Sequence, residues 1–245
     1  AYVIMIILIW IPMARRKSLA FLDVGQGDCF VADTKSGAII FDGGSSSEDQ
    51  VGRYRILPYM KYLGYQKIQI AVISHMDIDH YSGIKELLEM GKIKYLGLPE
   101  IPKDETMKKI IGIAKKRGTT IFYFSRGRQI TTKDGSLKVL HPQKNSQMEK
   151  NAASLVMQGK ILGYRVLLTG DVEKEGEEEL LSEELERADI LKAAHHGSKN
   201  STSNEFLQKV QPKQTVISCG KQNRYGHPHL ETIHRLQTYL SLIHI

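Results

Sequence analysis

From Ser18 onward, apolar runs of strand length alternate with segments whose apolar positions recur at helical spacing. Leu19–Ala32 and Gly37–Phe41 read as strands on either side of a turn at Thr34-Lys35-Ser36. Gly52–Leu63 has helical spacing and stops at Gly64, Ile68–Ile73 reads as a buried strand, and Tyr81–Met90 as a helix capped by Gly91. Strands at Tyr95–Leu98 and Thr119–Phe124 bracket a basic helix at Glu105–Lys116, and Leu137–His141 is a further strand. Ser154–Gln158 and Tyr164–Leu168 read as a hairpin turning at Lys160–Gly163, followed by an acidic helix over Glu173–Glu186. A strand at Ile190–Ala193, a helix near Asn204–Val210, a strand at Thr215–Ser218 and a helix from Leu230 complete the pattern. A strand-rich first half, a central hairpin and interleaved helices predict an α/β protein of two sheets packed face to face, with helices outside.

The two ends break this pattern. Ala1–Met13 carries no charge and runs directly into the basic linker Ala14-Arg15-Arg16-Lys17. A membrane-spanning helix needs about 20 apolar residues, so residues 1–13 read as the C-terminal part of a transmembrane helix, with Trp10 near the interface. Residues 18–240 form the expected folded domain, and 241–245 read as an artefactual tail without function.

Composition adds little until it is combined with motifs. Apolar and charged fractions of 41% and 25% suit a globular core. A net charge of +7 favours an anionic partner such as nucleic acid or a phospholipid surface. Two distant cysteines, Cys29 and Cys219, exclude a disulfide framework and a cysteine zinc site, and each reads as a small buried hydrophobe.

Chemistry concentrates in Ser74-His75-Met76-Asp77-Ile78-Asp79-His80-Tyr81-Ser82-Gly83. Four metal-competent side chains fall between a hydrophobic strand and a helix, where a loop anchored at both ends can converge on one point. His75 and Asp77, two apart, can share one ion, while the adjacent Asp79 and His80 can diverge towards a second. Gly25-Gln26-Gly27-Asp28 resembles a phosphate-binding loop, but no helix follows it, so a tight bend between strands is expected.

His75-x-Asp77-x-Asp79-His80 resembles the metallo-β-lactamase superfamily signature His-x-His-x-Asp-His, with aspartate at the second histidine position. Phe41-Asp42-Gly43-Gly44, Leu168-Thr169-Gly170-Asp171, His195-His196-Gly197-Ser198 and Tyr225-Gly226-His227-Pro228-His229 are similar to its further motifs. With Leu22-Asp23-Val24-Gly25-Gln26-Gly27-Asp28, the set looks like the hydrolase domain of ComEC-type competence proteins, in which a membrane channel imports single-stranded DNA.

This resemblance implies an αββα sandwich, preceded by the end of a transmembrane helix, that binds two divalent metal ions, zinc or manganese. It implies one ion on His75, Asp77 and Asp171 and the other on Asp79, His80, Asp171 and His227, with Asp42 orienting the loop behind them. His196, with His195, would face the scissile phosphate; the alternative is that His196 is itself a ligand. His227 is preferred to His229 because Gly226 and Pro228 would fix a turn there.

The superfamily's intermediate histidine is lost, Asn151 standing near its place, and His141 reads as structural. The oxygen-rich first site favours a hard ion such as manganese. The expected activity is phosphodiester hydrolysis of DNA in a bacterial cell-membrane protein. Lys108, Lys109, Lys115, Lys116, Arg117, Arg126 and Arg128 would guide the DNA backbone. The resemblance favours the extracellular side, against the basic flank, which hints at a cytoplasmic exit.

Overall fold

The computed structural model of the protein describes residues 17–149, 151–183, 185–239 and 243–244. The expected membrane segment 1–13 lies outside them, and no described helix is long and apolar enough to cross a membrane.

The first half builds a six-stranded sheet in the order of the chain. Its elements are β1 (Leu19–Phe21), β2 (Phe30–Thr34), β3 (Gly37–Phe41), α1 (Leu57–Tyr62), β4 (Ile68–Val72), α2 (Ile78–Glu89), β5 (Ile93–Pro99), α3 (Glu105–Lys116) and β6 (Thr120–Phe124). Strands β1 to β3 form an antiparallel meander, and β3 to β6 run parallel. A parallel neighbour cannot be reached by a hairpin, and α1, α2 and α3 supply the three crossovers.

The second half repeats this logic. β7 (Gln129–Thr132), β8 (Gly135–His141), β9 (Val156–Ile161) and β10 (Tyr164–Leu168) form a meander. Then β11 (Ile190–Lys192), β12 (Gln214–Val216) and β13 (Ile243–His244) add parallel strands through α4 (Lys174–Leu181), α5 (Asn204–Val210) and α6 (Leu230–Tyr239).

Alternation along the strands sets the layers. Phe30, Ala32, Ile39 and Phe41 point between the sheets, where they meet Val139, Met157, Val166 and Leu168 of the other half. Val31, Ala38 and Ile40 point the opposite way, into a layer with Met60, Ile84, Leu87 and Met107 from α1 to α3. Leu180, Phe206, Leu207, Val210 and Leu236 make the matching outer layer over the second sheet. Both faces of the central strands are buried, so they read as continuous apolar runs. The result is the expected α-β-β-α sandwich.

Several boundaries differ from the sequence reading. The apolar stretch Leu19–Ala32 is broken into β1 and β2 by a loop that Leu22 N closes by donating to Cys29 O at 2.9 Å. The polar strand β7 escaped the pattern because Ile130 is its only buried residue. The segment before α1 is a wide π turn, Gly52–Ile56. The acidic helix ends at Leu181 rather than Glu186. Ile243 and His244, read as part of a functionless tail, pair in parallel with Thr215 and Val216.

Glycines bring the first-half loops into backbone contact. A Cβ on Gly27 would lie 2.6 Å from the Asp79 carbonyl oxygen and would collide with the Gly44 carbonyl. One on Gly44 would lie 2.6 Å from the His80 amide nitrogen. The 22–29 loop, the loop after β3 and the start of α2 are thereby locked together. Gly27→Ala is expected to destabilise the fold by at least about 1–3 kcal/mol, because backbone cannot yield as a side chain can. Urea denaturation measures this, and an unchanged midpoint would show that the loops can part freely.

Candidate metal centre

The residues that meet at the centre follow the C-terminal ends of parallel strands, where open α/β sheets present their ligand-binding crevice. Asp42 follows β3, His75 follows β4, Asp171 follows β10, and His195 and His196 follow β11. Asp77 keeps an extended backbone (φ −99°, ψ 148°) as the N-cap of α2, so Asp79 and His80 lie in the helix's first turn. His195 and His196 sit in a tight turn, Ala194–Gly197, both with left-handed backbone (φ 48° and 52°), which turns two adjacent imidazoles towards the same cavity.

Asp171 is the hub. Its Oδ2 lies 3.2 Å from His80 Nε2, 3.4 Å from His196 Nε2, 3.9 Å from His195 Nε2 and 4.0 Å from His75 Nε2. His196 Nε2 is also 3.5 Å from Asp79 Oδ2, and His75 Nε2 is 3.6 Å from Asp77 Oδ2. The Asp77 side chain is 37% exposed, which puts it at the rim.

The far sides of the rings are held. Asp42 Oδ2 lies 3.0 Å from His80 Nδ1, while its Oδ1 accepts from the Ser74 amide at 2.7 Å. His196 Nδ1 is 2.8 Å from the Ser218 carbonyl oxygen and so donates to it, which leaves Nε2 as the nitrogen that faces inward. Glu173 Oε1 lies 2.9 Å from His195 Nδ1, out of line with the ring N–H, a close approach rather than an aligned hydrogen bond.

His75 Nε2, His80 Nε2, His196 Nε2 and Asp171 Oδ1 are buried without a hydrogen-bond partner. Orphaned groups of this kind are costly in a folded protein. Here they converge in sets whose donor atoms lie within 4.8 Å of one another: His75, His80 and Asp171; Asp79, His80 and His196; Asp28, Asp171 and His196. Imidazole nitrogens and carboxylate oxygens crowded so closely suit divalent cations.

Electrostatics agree. Burial disfavours charge on the His80 ring, but the carboxylates of Asp171 and Asp42 outweigh it and hold the ring well above the usual imidazole range. Against the same burial, Asp171 and Asp28 lift His196 to about 10. Burial would raise Asp171, yet His196 and His80 keep it well below the ordinary carboxylate range. Asp79 is lowered against its own burial by the neighbouring His196 and His80 rings.

His227 stands apart. Its ring is 5.4 Å from that of His195 and 6.2 Å from that of His196, and it belongs to none of the close donor sets. Burial and the neighbouring His195, His196 and His229 rings push it down to about 4. His229 Nδ1 accepts from the Lys199 amide at 3.2 Å, a structural contact. His141 is structural too: its Nε2 donates to the Ala152 carbonyl at 2.7 Å.

Three residues at the centre had no role in the sequence reading. Asp28 lies 3.6 Å from His196 Nδ1 and pairs with the buried Lys192 Nζ at 2.5 Å. Gln26 Oε1 accepts from the Gly220 amide at 2.9 Å, tying its loop to the segment after β12. Lys192 did leave a trace, a lysine inside the apolar run Ile190–Ala193. Arg126, by contrast, is spent on Glu179 and Glu183 and donates to the Leu140 carbonyl, which removes it from the predicted DNA-guiding set. Lys108, Lys109, Lys115, Lys116, Arg117 and Arg128 are exposed.

The four-layer sandwich with a carboxylate–imidazole centre at its strand ends is that of the metallo-β-lactamase superfamily, and the chain belongs to that family, matching it over residues 22–221. Among its relatives are ComEC-type competence proteins. It is 35% identical to ComE operon protein 3 of Bacillus subtilis over 97% of this chain and 33% of that protein. It is 29% identical to competence protein ComA of Neisseria gonorrhoeae over 84% of this chain and 27% of that one. The chain thus spans about a third or less of these relatives' length. The metallo-β-lactamase fold protein YhfI of Bacillus subtilis superposes with a TM-score of 0.62, covering 93% of this chain and 96% of that one at 13% identity.

Superfamily centres hold divalent metals, often two, and Asp42 backs the His80 ring, which the set with His75 and Asp171 shares with the set of Asp79 and His196. Asp42→Asn is expected to weaken metal binding by about 10- to 100-fold, as loss of a carboxylate behind a ligating histidine does. Isothermal titration with manganese or zinc measures it; an unchanged affinity would mean the His80 ring is oriented by other contacts.

Proposed function

We propose that this chain is a metal-dependent phosphodiester hydrolase, the nuclease-like domain of a bacterial DNA-uptake protein. The observation that carries the reading is the convergence of unpaired imidazole nitrogens and carboxylate oxygens on Asp171. Asp28, Asp42, Asp77, Asp79 and Asp171 place five carboxylates there against the Lys192 ammonium, an excess of acidic side chains that divalent cations offset.

His75, Asp77 and Asp171 would hold one ion, and Asp79, His80 and Asp171 the other. His196 takes the remaining ligand position instead of His227, because its only free nitrogen points at Asp79 and Asp171 from a fully buried ring. Bound divalent ions supply Lewis acidity and lower the pKa of a coordinated water from about 16 towards about 7. Oxygen-rich donors favour manganese over zinc at the first position.

The roles at the substrate fall to side chains that solvent can reach. His195, 22% exposed and turned towards Asp171, is placed to donate a hydrogen bond to a phosphoryl oxygen as charge develops there, with His227 beside it. His195→Ala is expected to lower kcat by about 100- to 1,000-fold while both metals stay bound. Loss of a metal in that variant would instead make His195 a ligand.

The competence relatives support DNA as substrate, and the apolar segment 1–13 supports attachment to a cell membrane. The resemblance to ComEC-type proteins, against the basic flank, favours its outer face for the hydrolase domain. Hydrolysis of linear DNA, compared side by side in manganese, zinc and chelator, tests the reading. Activity restored by manganese is expected. No cleavage of DNA together with turnover of another ester would overturn it.

A further inference from the structure

Among the exposed aromatic side chains of the described residues, Tyr225 stands beside a histidine ring of the centre's edge. It is 44% exposed, and its ring lies almost parallel to that of His227, 22° apart with centroids at 5.7 Å. His227 in turn faces His195, the ring turned towards Asp171. The Arg224 guanidinium lies over the Tyr225 ring, 4.9 Å from its centroid, and donates to the Tyr225 hydroxyl at 2.7 Å. His227 meets His195 edge-on at 75° and lies 28° from the His196 ring at 6.2 Å, so a partly cationic row of rings runs outward from the metal centre to solvent.

This row is held rather than loose. Asn223 Oδ1 accepts from the amides of Tyr225 and His227 at 3.1 and 3.0 Å. Its Nδ2 donates to the carbonyls of Gly220 and His227 at 2.9 and 2.6 Å. One side chain thus fixes the backbone on both sides of Tyr225. An aromatic ring fixed at the mouth of a site loses little freedom on binding, which is what a recognition platform requires.

We infer that Tyr225 and Arg224 form a stacking platform for an unpaired nucleobase next to the scissile phosphate, so that the centre takes single-stranded rather than duplex nucleic acid. The inference rests on the phosphodiesterase reading above. Every base has a π-face, and aromatic rings and guanidinium planes both accept one, so such a platform binds without reading sequence. The incoming base extends the His227–Tyr225 stack, on the ring in place of the guanidinium or on the guanidinium itself, and Arg224 stays near enough to meet a phosphate. Bases inside a duplex remain stacked on one another and offer no free face, and only a single strand or a frayed end fits.

The test compares a single-stranded oligonucleotide with an abasic one of the same length and charge. The wild type is expected to favour the base-bearing strand in kcat/KM by roughly ten- to a hundredfold, mostly through KM. Tyr225→Ala should collapse that preference towards one, while Tyr225→Phe should keep it, with both variants' Tm checked against the wild type. An equal loss on both strands, or no loss on either, overturns the platform. Fluorescence anisotropy of the same two strands in chelator reads the platform without turnover. If the wild type cleaves no oligonucleotide, the hydrolase reading fails by itself. A binding preference for the base-bearing strand that Tyr225→Ala abolishes would still support the platform, and equal binding would overturn it.

Discussion

Asp171→Asn is expected to abolish hydrolysis and the binding of both metal ions together. Asparagine keeps the shape of the side chain and the backbone contact of residue 171 to Ser154 Oγ at 3.3 Å, but it removes the charge that sits between His75, His80, His195 and His196. Among the described residues no other carboxylate pairs with all four rings, so nothing local replaces it. The loss in kcat should exceed about 1,000-fold, beyond that of a single electrostatic contact. A thermodynamic readout is independent of turnover. At a metal concentration 100 times Kd, binding to the folded state stabilises it by about 2.7 kcal/mol, which in a protein of this size raises Tm by about 5–10 °C. The wild type should show this increment with manganese, and Asp171→Asn should not. Two equivalents of tightly bound metal in the variant would show that Asp171 does not bridge the sites.

Lys192→Met should cost about 3–5 kcal/mol of stability, the usual penalty for leaving one partner of a buried ion pair alone. Lys192 is 3% exposed, and its Nζ meets Asp28 Oδ2 and donates to the Ala193 carbonyl at 2.8 Å. Methionine fills the space but strands the Asp28 carboxylate, 5% exposed, close to His80 and His196. Adding Asp28→Asn should recover most of the loss, because a neutral amide no longer needs the ammonium. Urea denaturation of the two single variants and the double, all in chelator, measures the coupling. A cost below about 1 kcal/mol for Lys192→Met would mean that the carboxylate is compensated by its other neighbours.

Local pattern carried much of this protein. Strands buried on both faces announce themselves as apolar runs, and β3, β4 and β10 were legible for that reason. The clustering of His75, Asp79 and His80 was legible because a short loop between a strand and a helix must place them together. Contacts between the halves were not legible. Whether His196 or His227 enters the cluster depends on the left-handed turn at 195–196 and on the reach of Ser218, which spacing does not encode. Asp28 and Lys192 meet from opposite halves of the chain, and Arg126 is claimed by α4, which no count of basic residues reveals.

The centre straddles the seam between the two halves: Asp42, His75, Asp79 and His80 come from one, Asp171, His195 and His196 from the other. Neither half can neutralise or complete it alone. During synthesis, the first-made half carries its carboxylates uncompensated until the last strands have docked. A nascent or broken chain therefore lacks the assembled cluster, and any chemistry the centre performs waits until both halves have met.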